Sequence, residues 1–167
     1  MPDVLVLGKP LGNGYPLGAV VTTRAVAESF ADGPEFFSTF GGSTVAMAAG
    51  LAVLDVLRDE DLAANARAVG TRLMTGLREL QRQHELVGDV RGRGLFLGVD
   101  LVTDRGSRKP ATAAAQQVKN HLRERRVLIG TDGPHDNVLK IRPPMTFDEA
   151  AADRLLAVLA DAFAATP

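Results

Sequence analysis

The first part of the chain alternates short apolar runs with turn-forming residues. Residues 4–7 read VLVL, a continuous apolar run that is typical of a strand buried on both faces of a parallel sheet. Residues 17–21 form a second strand candidate, and residues 24–30 follow two threonines as a short helix. This order of elements predicts part of a layered α/β domain.

Two longer segments carry helical patterns. The Ala-rich stretch from Val45 to Leu57 is apolar on nearly all sides, which predicts a buried helix capped by Ser43 or Thr44. From Leu62 to His84 apolar residues recur every three or four positions. That period predicts an amphipathic helix.

The remainder of the chain, from about residue 88, predicts a small and separate α+β layer. The order of elements is strand, helix, two strands and helix. Their predicted ranges are 94–102, 111–125, 127–130, 138–141 and a last helix through Ala164 that begins at the capping-box sequence Thr146–Glu149.

Composition restricts the function classes. The 167 residues are 46% hydrophobic and carry a formal net charge of -1, which gives no electrostatic support for nucleic acid or an anionic membrane as the main partner. The chain has no cysteine, no signal-like start and no apolar run near the roughly 20 residues of a membrane helix. A cytoplasmic location is therefore expected. The three histidines lack metal-ligand spacing, so no metal is predicted.

One cation stands out against this pattern. Lys9 follows the first apolar run and lies among Gly8, Gly12 and Gly14, at a strand end where the backbone can approach a ligand. A lysine amine that is partly desolvated in such a place can act as the nucleophile of Schiff-base chemistry. The alternative from these features alone is a turn lysine in water. The glycines do not form a P-loop, which excludes that route to phosphate binding.

Four segments together resemble a known family. They are PDVLVLGKPLGNGYPLGAVVTT around Lys9, FFSTFGGSTVAMAAGLAVLDVL, VGDVRGRGLFLGVDLV and NVLKIRPPMTF. In this order they resemble the cofactor-lysine, S-T-[FY]-G-G, R-G-x-G-L and R-x-x-P-P segments of the class III, pyridoxal-phosphate-dependent aminotransferases. The resemblance covers essentially the whole chain.

The resemblance implies a fold and a domain division. The fold would be α/β: part of the large sheet domain of pyridoxal-phosphate-dependent transferases, followed by a small α+β C-terminal domain. Residues 1–86 would be a remnant of the cofactor-binding domain with an interdomain helix, and residues 87–167 the small domain. A buried first strand would then lack sheet neighbours, and its apolar face should drive association.

The resemblance also implies roles for the first two motifs. Lys9 would hold pyridoxal 5'-phosphate as a Schiff base, the internal aldimine, and would move the proton during transamination. Ser38 and Thr39 would bind the cofactor, with Thr39 contacting the phosphate across a homodimer interface. Without the resemblance, Thr39 reads as an ordinary loop residue.

The last motif departs from the family pattern. Many relatives clamp a substrate carboxylate with an arginine where this chain has Lys140, and an arginine occurs instead at Arg142. Lysine is a point charge that also suits phosphate, whereas arginine offers a planar fork for carboxylate. Lys140 and Arg142 are therefore predicted to bind substrate, with an interdomain ion pair as the alternative for Arg142. The role of Arg91, structural or carboxylate-binding, stays open.

The resulting functional prediction is the C-terminal part of a class III aminotransferase that uses an amine or amino acid and a keto acid. Complete relatives are expected to be more than twice as long, so the isolated chain is expected to be inactive. One alternative is a pyridoxal-phosphate-dependent phospholyase that acts on a phosphorylated amine. Another alternative is a non-catalytic association module. A homodimer or larger assembly is expected.

Overall fold

The computed structural model describes residues 2–166 and divides into two compact units, Met1–Asp61 and Leu62–Pro167. In the first unit the elements are β1 (Val4–Leu7), a short 3-10 helix (Lys9–Gly12), β2 (Ala19–Thr22), α1 (Arg24–Ala31) and α2 (Thr44–Asp59). In the second they are α3 (Leu62–Gln83), β3 (Val87–Arg93), β4 (Phe96–Leu101), α4 (Thr112–Glu124), β5 (Gly130–Asp132), β6 (Val138–Ile141) and α5 (Glu149–Ala164).

The first unit contains an antiparallel strand pair. β1 pairs with β2 in a register that runs from Val4 opposite Thr22 to Leu7 opposite Ala19. The predicted strands exist, and β1 lacks the parallel neighbours that its apolar run would need for burial: among the described residues it pairs with the antiparallel β2, and Val6 is 73% exposed. An apolar run predicts that a strand is buried in the complete fold, but it does not identify the element that packs against it.

Helix α2 is capped as predicted but is not buried. The Ser43 hydroxyl accepts a hydrogen bond from the Ala46 N–H at 3.5 Å, which confirms the cap. Within α2 only Ala46 and Gly50 are buried, and an added Cβ at Gly50 would lie 2.7 Å from the Leu17 side chain. The outer apolar positions stay exposed, among them Val45, Met47, Leu51, Leu54 and Val56.

The second unit is a four-stranded antiparallel sheet with helices on one face. The strand order is β3-β4-β6-β5. Alternate sheet residues such as Val99 and Leu139 point into a core shared with α3, α4 and α5. Fully buried side chains include Leu73, Leu77, Leu101, Leu122, Leu159, Val87 and Val118. The opposite sheet face carries the charged residues Arg91, Asp100 and Lys140 together with the exposed Phe96.

Three local predictions differ from the structure. Strand β3 was not predicted, because its glycines read as turn sequence. The strand predicted at 127–130 lies at Gly130–Asp132, since Arg126 (φ 62) and the bond from the Val127 N–H to the Leu122 carbonyl still belong to the end of α4. The cap of α5 is Asp148, which accepts from the Ala151 N–H at 2.7 Å, and not Thr146.

The two compact units of the structure meet between Asp61 and Leu62, and the predicted boundary between the family's two domains at 86/87 stays a prediction. Helix α3 belongs to the second unit, where it packs on β3 and α5. Asn65 Nδ2 donates to the carbonyls of Met145 at 2.7 Å and Phe147 at 3.0 Å, which joins the start of α3 to the loop before α5. The helix contributes its apolar face to the sheet that follows it.

Candidate functional site

Lys9 is the first residue of the 3-10 helix and is separated from β1 by Gly8. It is exposed and has a φ of 45°, a left-handed conformation that non-glycine residues adopt infrequently. The next turn is closed by a bond from the Asn13 N–H to the Pro10 carbonyl at 3.0 Å. Within residues 2–166 no hydrogen-bond or ion-pair partner binds the Lys9 amine. The partial desolvation expected from the sequence is therefore not present in the described chain, although the Lys9 amine is free of competing partners there.

The loop before α2 contains Ser38 and Thr39. The Ser38 hydroxyl accepts a hydrogen bond from the Gly41 N–H at 3.0 Å, and Gly42 has a φ of 76°. Thr39 is exposed, and in the described part of the chain its hydroxyl has no protein partner. Ser38 therefore shapes the turn while Thr39 presents a donor to the surroundings. No hydrogen bond among residues 2–166 connects either residue with Lys9.

Lys140 and Arg142 line one cavity of about 570 Å³ at the end of β6. Its walls come from the segment after α4, the end of β6, the following prolines and the start of α5. Arg126 and Arg154 also contribute, and within the described residues no carboxylate is part of the lining. The structure therefore brings the two predicted substrate residues together in a cationic setting.

Lys140 has a partner that the sequence did not reveal. Its ammonium donates to the Asp132 carboxylate on neighbouring β5, and the Asp132 carboxylate also accepts from the Gly133 N–H at 2.9 Å. The hydrogen bond from Lys140 is the main reason that the pKa of the Asp132 carboxyl is lowered. Asp132 thus holds the lysine in position while leaving its other N–H groups available.

Arg91, whose role was open, lies on β3 in an ion-pair network. One guanidinium nitrogen, Nη1, donates to Asp89 at 2.7 Å and to Asp100 at 3.3 Å. The bond to Asp89 is the largest cause of the raised pKa of the Arg91 guanidinium. Asn137 supports the same network by donating to Asp100 at 2.6 Å. In the part of the chain that is described, the remaining guanidinium nitrogens bond no protein acceptor.

The glycines of the R-G-x-G motif have structural reasons. Gly92 has a φ of 140°, and an added Cβ there would lie 2.2 Å from the Phe96 carbonyl oxygen. Gly94, with a φ of 55°, is the first of two residues that connect β3 to β4. The motif builds the tight hairpin that positions Arg91.

Sequence reasoning missed Asp132, Arg126 and Arg154. A carboxylate in a Thr-Asp-Gly turn reads as a turn residue, and the two arginines read as solvated helix positions. Only the pairing of β5 with β6 brings Asp132 beside Lys140. Among residues 2–166 there is no cluster of three or more potential metal ligands, and no helix has an apolar stretch that could cross a bilayer.

Curated relatives share long matches with the chain. Ethanolamine-phosphate phospho-lyase homolog 1 of Caenorhabditis elegans is 43% identical over 150 residues, which is 89% of this chain and 32% of that protein. Alanine–glyoxylate aminotransferase 2-like of Drosophila melanogaster is 44% identical over 158 residues, or 93% of this chain and 32% of that protein. The chain spans about a third of the length of these relatives.

Solved structures agree with the predicted fold class. A phospholyase from Arthrobacter in complex with phosphoethanolamine has a TM-score of 0.95 and 46% identity, covering 100% of this chain and 40% of that chain. An amine transaminase from an uncultivated Pseudomonas species, in its PLP-bound internal aldimine form, has a TM-score of 0.88 and 34% identity, covering 99% and 39%. The predicted α/β fold and the predicted cofactor of the family, pyridoxal phosphate, are confirmed.

The family model described as aminotransferase class-III matches residues 1–163. This match covers all four segments on which the resemblance was based. The chain belongs to the class III aminotransferase family.

Proposed function

We propose that this chain is part of a pyridoxal-phosphate-dependent enzyme that removes phosphate from a small phosphorylated amine. The observation that carries the proposal is the lysine at position 140, held beside Arg142 in a cavity lined by four basic residues. The similarity to a phospholyase and to an ethanolamine-phosphate phospho-lyase homologue supports it. We therefore prefer the phospholyase, which the sequence offered as an alternative, to transamination, which was the first prediction.

The residues present fit pyridoxal phosphate. An added Cβ on Gly8, the residue before Lys9, would meet no atom within 4 Å, so the chain leaves open space beside Gly8. The exposed Thr39 hydroxyl and the Gly42 N–H, which bonds no acceptor in the described part of the chain, are suitable donors for a phosphate group. We propose that Lys9 binds the cofactor covalently and that Thr39 contributes to its phosphate site, with Ser38 fixing the turn. When bound, pyridoxal phosphate supplies an electron sink.

The substrate preference follows from the charges around β6. A phosphate monoester carries close to two negative charges at neutral pH, whereas a carboxylate carries one, so a cluster of cations attracts the phosphate more strongly. Lysine satisfies phosphate as a point charge and lacks the fork that matches a carboxylate. Lys140 and Arg142 would therefore bind the phosphate of the substrate. Lys9 would move the proton at the carbon that bears the amine.

Turnover of the full-length protein tests this substrate class. Phosphoethanolamine should release inorganic phosphate, and alanine should be a poor amino donor. Lys140→Arg should raise kcat/KM for alanine, the carboxylate substrate, by an amount equivalent to about 1 kcal/mol, which is the scale of one improved charge-assisted contact. If alanine is the preferred substrate and Lys140→Arg changes the turnover of neither alanine nor phosphoethanolamine, then Lys140 does not contact substrate and the proposal fails.

The covalent role of Lys9 has its own test. The protein is incubated with pyridoxal phosphate, reduced with borohydride and mapped by peptide mass spectrometry. The label is expected on Lys9, with Lys109, Lys119 and Lys140 of the same chain as internal controls. Label on those lysines with Lys9 unmodified would contradict the assignment.

Transamination remains the second candidate. Its support is the similarity to alanine–glyoxylate aminotransferase 2-like proteins, which match the chain as well as the phospho-lyase homologue does. The two activities differ in products: a transaminase converts a keto acid into an amino acid, whereas a phospholyase eliminates phosphate as the neighbouring carbon loses a proton, and water then releases ammonia and an aldehyde, with no keto acid needed. We also propose a homodimer as the working form, in which Thr39 reaches the partner's cofactor.

A further inference from the structure

Asn65, near the start of α3, bonds two carbonyls of the loop between β6 and α5. Its side-chain nitrogen, Nδ2, donates to the Met145 carbonyl at 2.7 Å and to the Phe147 carbonyl at 3.0 Å. A side-chain amide carries two N–H donors, and both are used here on groups that can only accept. Asn65 is partly buried, so part of this contact is shielded from water.

The loop has few hydrogen bonds of its own. It spans residues 142–148 and contains Pro143 and Pro144, which have no N–H to donate. Within these residues one backbone hydrogen bond is formed, from the Phe147 N–H to the Pro144 carbonyl at 3.0 Å. Asn65 therefore supplies two of the few hydrogen bonds that hold the loop in place.

The same loop forms part of the wall of the cavity of about 570 Å³ at the end of β6. Pro143, Pro144 and Phe147 line the cavity beside Arg142. Asn65 is not one of the lining residues, and it contacts this wall through the backbone of the loop. A change at Asn65 can therefore alter the wall without removing a group that faces the cavity.

The two predicted substrate cations are fixed by different parts of the structure. Lys140 is paired within the sheet, opposite Gly98 of β4 and Gly130 of β5. Arg142 lies just past the end of β6 and has no strand partner among the described residues. It precedes a proline, which restricts its backbone to extended conformations. The position of Arg142 thus depends on where the loop holds Pro143.

We propose that Asn65 is a positioning residue for phosphate recognition, because it holds the loop that sets the place of Arg142 relative to Lys140. The inference rests on the proposed function, which assigns the phosphate of the substrate to these two cations. Asn65 does not touch the substrate and acts on Arg142 through the backbone of the loop. A misplacement of about 1 Å can cost up to about 10²-fold in the activity of a site, so loss of this anchor should be measurable.

Binding of inorganic phosphate to the full-length protein tests this role. The protein is loaded with pyridoxal phosphate, so that the phosphate group of the cofactor occupies its own site. Asn65→Asp keeps the shape of the side chain but places carboxylate oxygens against two carbonyls, while its charge lies near the N-terminus of α3, where the helix dipole favours it. We expect the dissociation constant of inorganic phosphate, measured by isothermal titration calorimetry, to rise about tenfold.

Two further variants complete this experiment. Asn65→Ala removes both donors without adding a charge, and it should also weaken phosphate binding if Asn65→Asp fails to fold. Asn120→Asp is the matched control, because Asn120 is exposed on α4 and its side chain forms no hydrogen bond within residues 2–166. This control should bind phosphate as the parent protein does.

A double-mutant cycle separates positioning from a general loss of structure. In an Arg142→Gln background, phosphate binding relies on Lys140 and the other arginines of the cavity. The group that Asn65 positions is then absent, so Asn65→Asp should change the dissociation constant by less than about twofold. A merely structural role would weaken binding by the same factor with and without Arg142.

Three outcomes overturn the inference. They are a parent protein that binds no inorganic phosphate, an unchanged dissociation constant in both Asn65 variants, and equal weakening in the two backgrounds. The failure of the proposed function would look different. In that case inorganic phosphate binds and responds to Asn65→Asp, while the full-length protein releases no phosphate from phosphoethanolamine.

Discussion

Replacing Gly70 with alanine should destabilise the second unit, because the helix and the hairpin touch at this point. Gly70 is buried on α3, and a Cβ placed there would lie 2.3 Å from the carbonyl oxygen of Gly94 and 2.4 Å from its carbonyl carbon. Gly94 begins the two-residue connection between β3 and β4. The strands on either side of it carry Arg91 and Gly98.

The magnitude follows from two opposing effects. Alanine inside a helix is favoured over glycine by about 1 kcal/mol. Overpacking a close-packed interior costs about 1–3 kcal/mol, and more where the obstacle is backbone. Gly94 has a φ of 55° and its neighbours are fixed by strand pairing, so the hairpin cannot yield easily. We expect Gly70→Ala to lower the free energy of unfolding by at least about 2 kcal/mol.

Gly76 on the same helix provides the matched control. A Cβ there would lie 2.4 Å from the Leu156 Cδ1, a flexible side-chain tip that is only partly buried. Moving that side chain off its rotamer costs about 0.5–1.5 kcal/mol, which the gain in helix propensity offsets. Gly76→Ala should therefore be nearly neutral.

Urea denaturation followed by circular dichroism measures both variants. The unfolding curves are compared at 222 nm, and hydrogen exchange of the β3 and β4 amides shows whether the loss is local to the hairpin. Two results would show that backbone obstacles do not dominate. One is a free energy of unfolding of Gly70→Ala within about 0.5 kcal/mol of that of the parent chain, and the other is a larger loss for Gly76→Ala than for Gly70→Ala.

Three further changes test other parts of the structure. Arg105→Ala should cost about 1–3 kcal/mol in urea denaturation, because Arg105 donates to the Gln81, His84 and Val87 carbonyls and so joins the end of α3 to the start of β3; an unchanged midpoint would contradict this. The hydrogen bond from Arg72 lowers the pKa of the Asp153 carboxyl. The stabilisation that this ion pair gives to the fold is therefore complete above the unfolded pKa of about 4 and is lost as pH falls through the folded value. Asp153→Asn should therefore reduce the difference in urea midpoint between neutral and strongly acidic buffer, and an equal difference would count against the pair. In the full-length protein, Thr39→Val should weaken retention of pyridoxal phosphate on dialysis, measured by absorbance, and full retention would remove Thr39 from the phosphate site.

Local pattern predicted the elements whose signal lies within one segment. Helix α3 has regular apolar spacing, and its predicted and observed ranges differ only at the C-terminal end. The Ser43 cap and strand β6 were found for the same reason, since each depends on a few adjacent residues. The four motifs identified the family, which the comparisons confirm.

Properties that depend on distant partners could not be predicted. The burial of β1 and α2 was inferred from their apolar residues, yet burial needs a covering surface, and the described chain leaves Val6 and Val45 exposed. Strand β3 was missed because its glycines weaken the sequence signal for a strand. Its pairing with β4 stabilises the strand, and that pairing is visible only in the structure. Asp132 became visible as the partner of Lys140 only once the order β4-β6-β5 was known.

The same alternation that builds the core also places the cations of the candidate site. On β6, Leu139 and Ile141 are buried while Lys140 lies between them on the opposite face. A slip of one residue in the pairing with β4 would turn Lys140 into the core and both apolar side chains outward. An unpaired charge in that position is far more costly than any ordinary packing defect, so the core enforces one register. That register aligns Lys140 with Gly98 and Arg91 on the outer face of the sheet, so the placement of these two cations is a consequence of how the apolar residues pack.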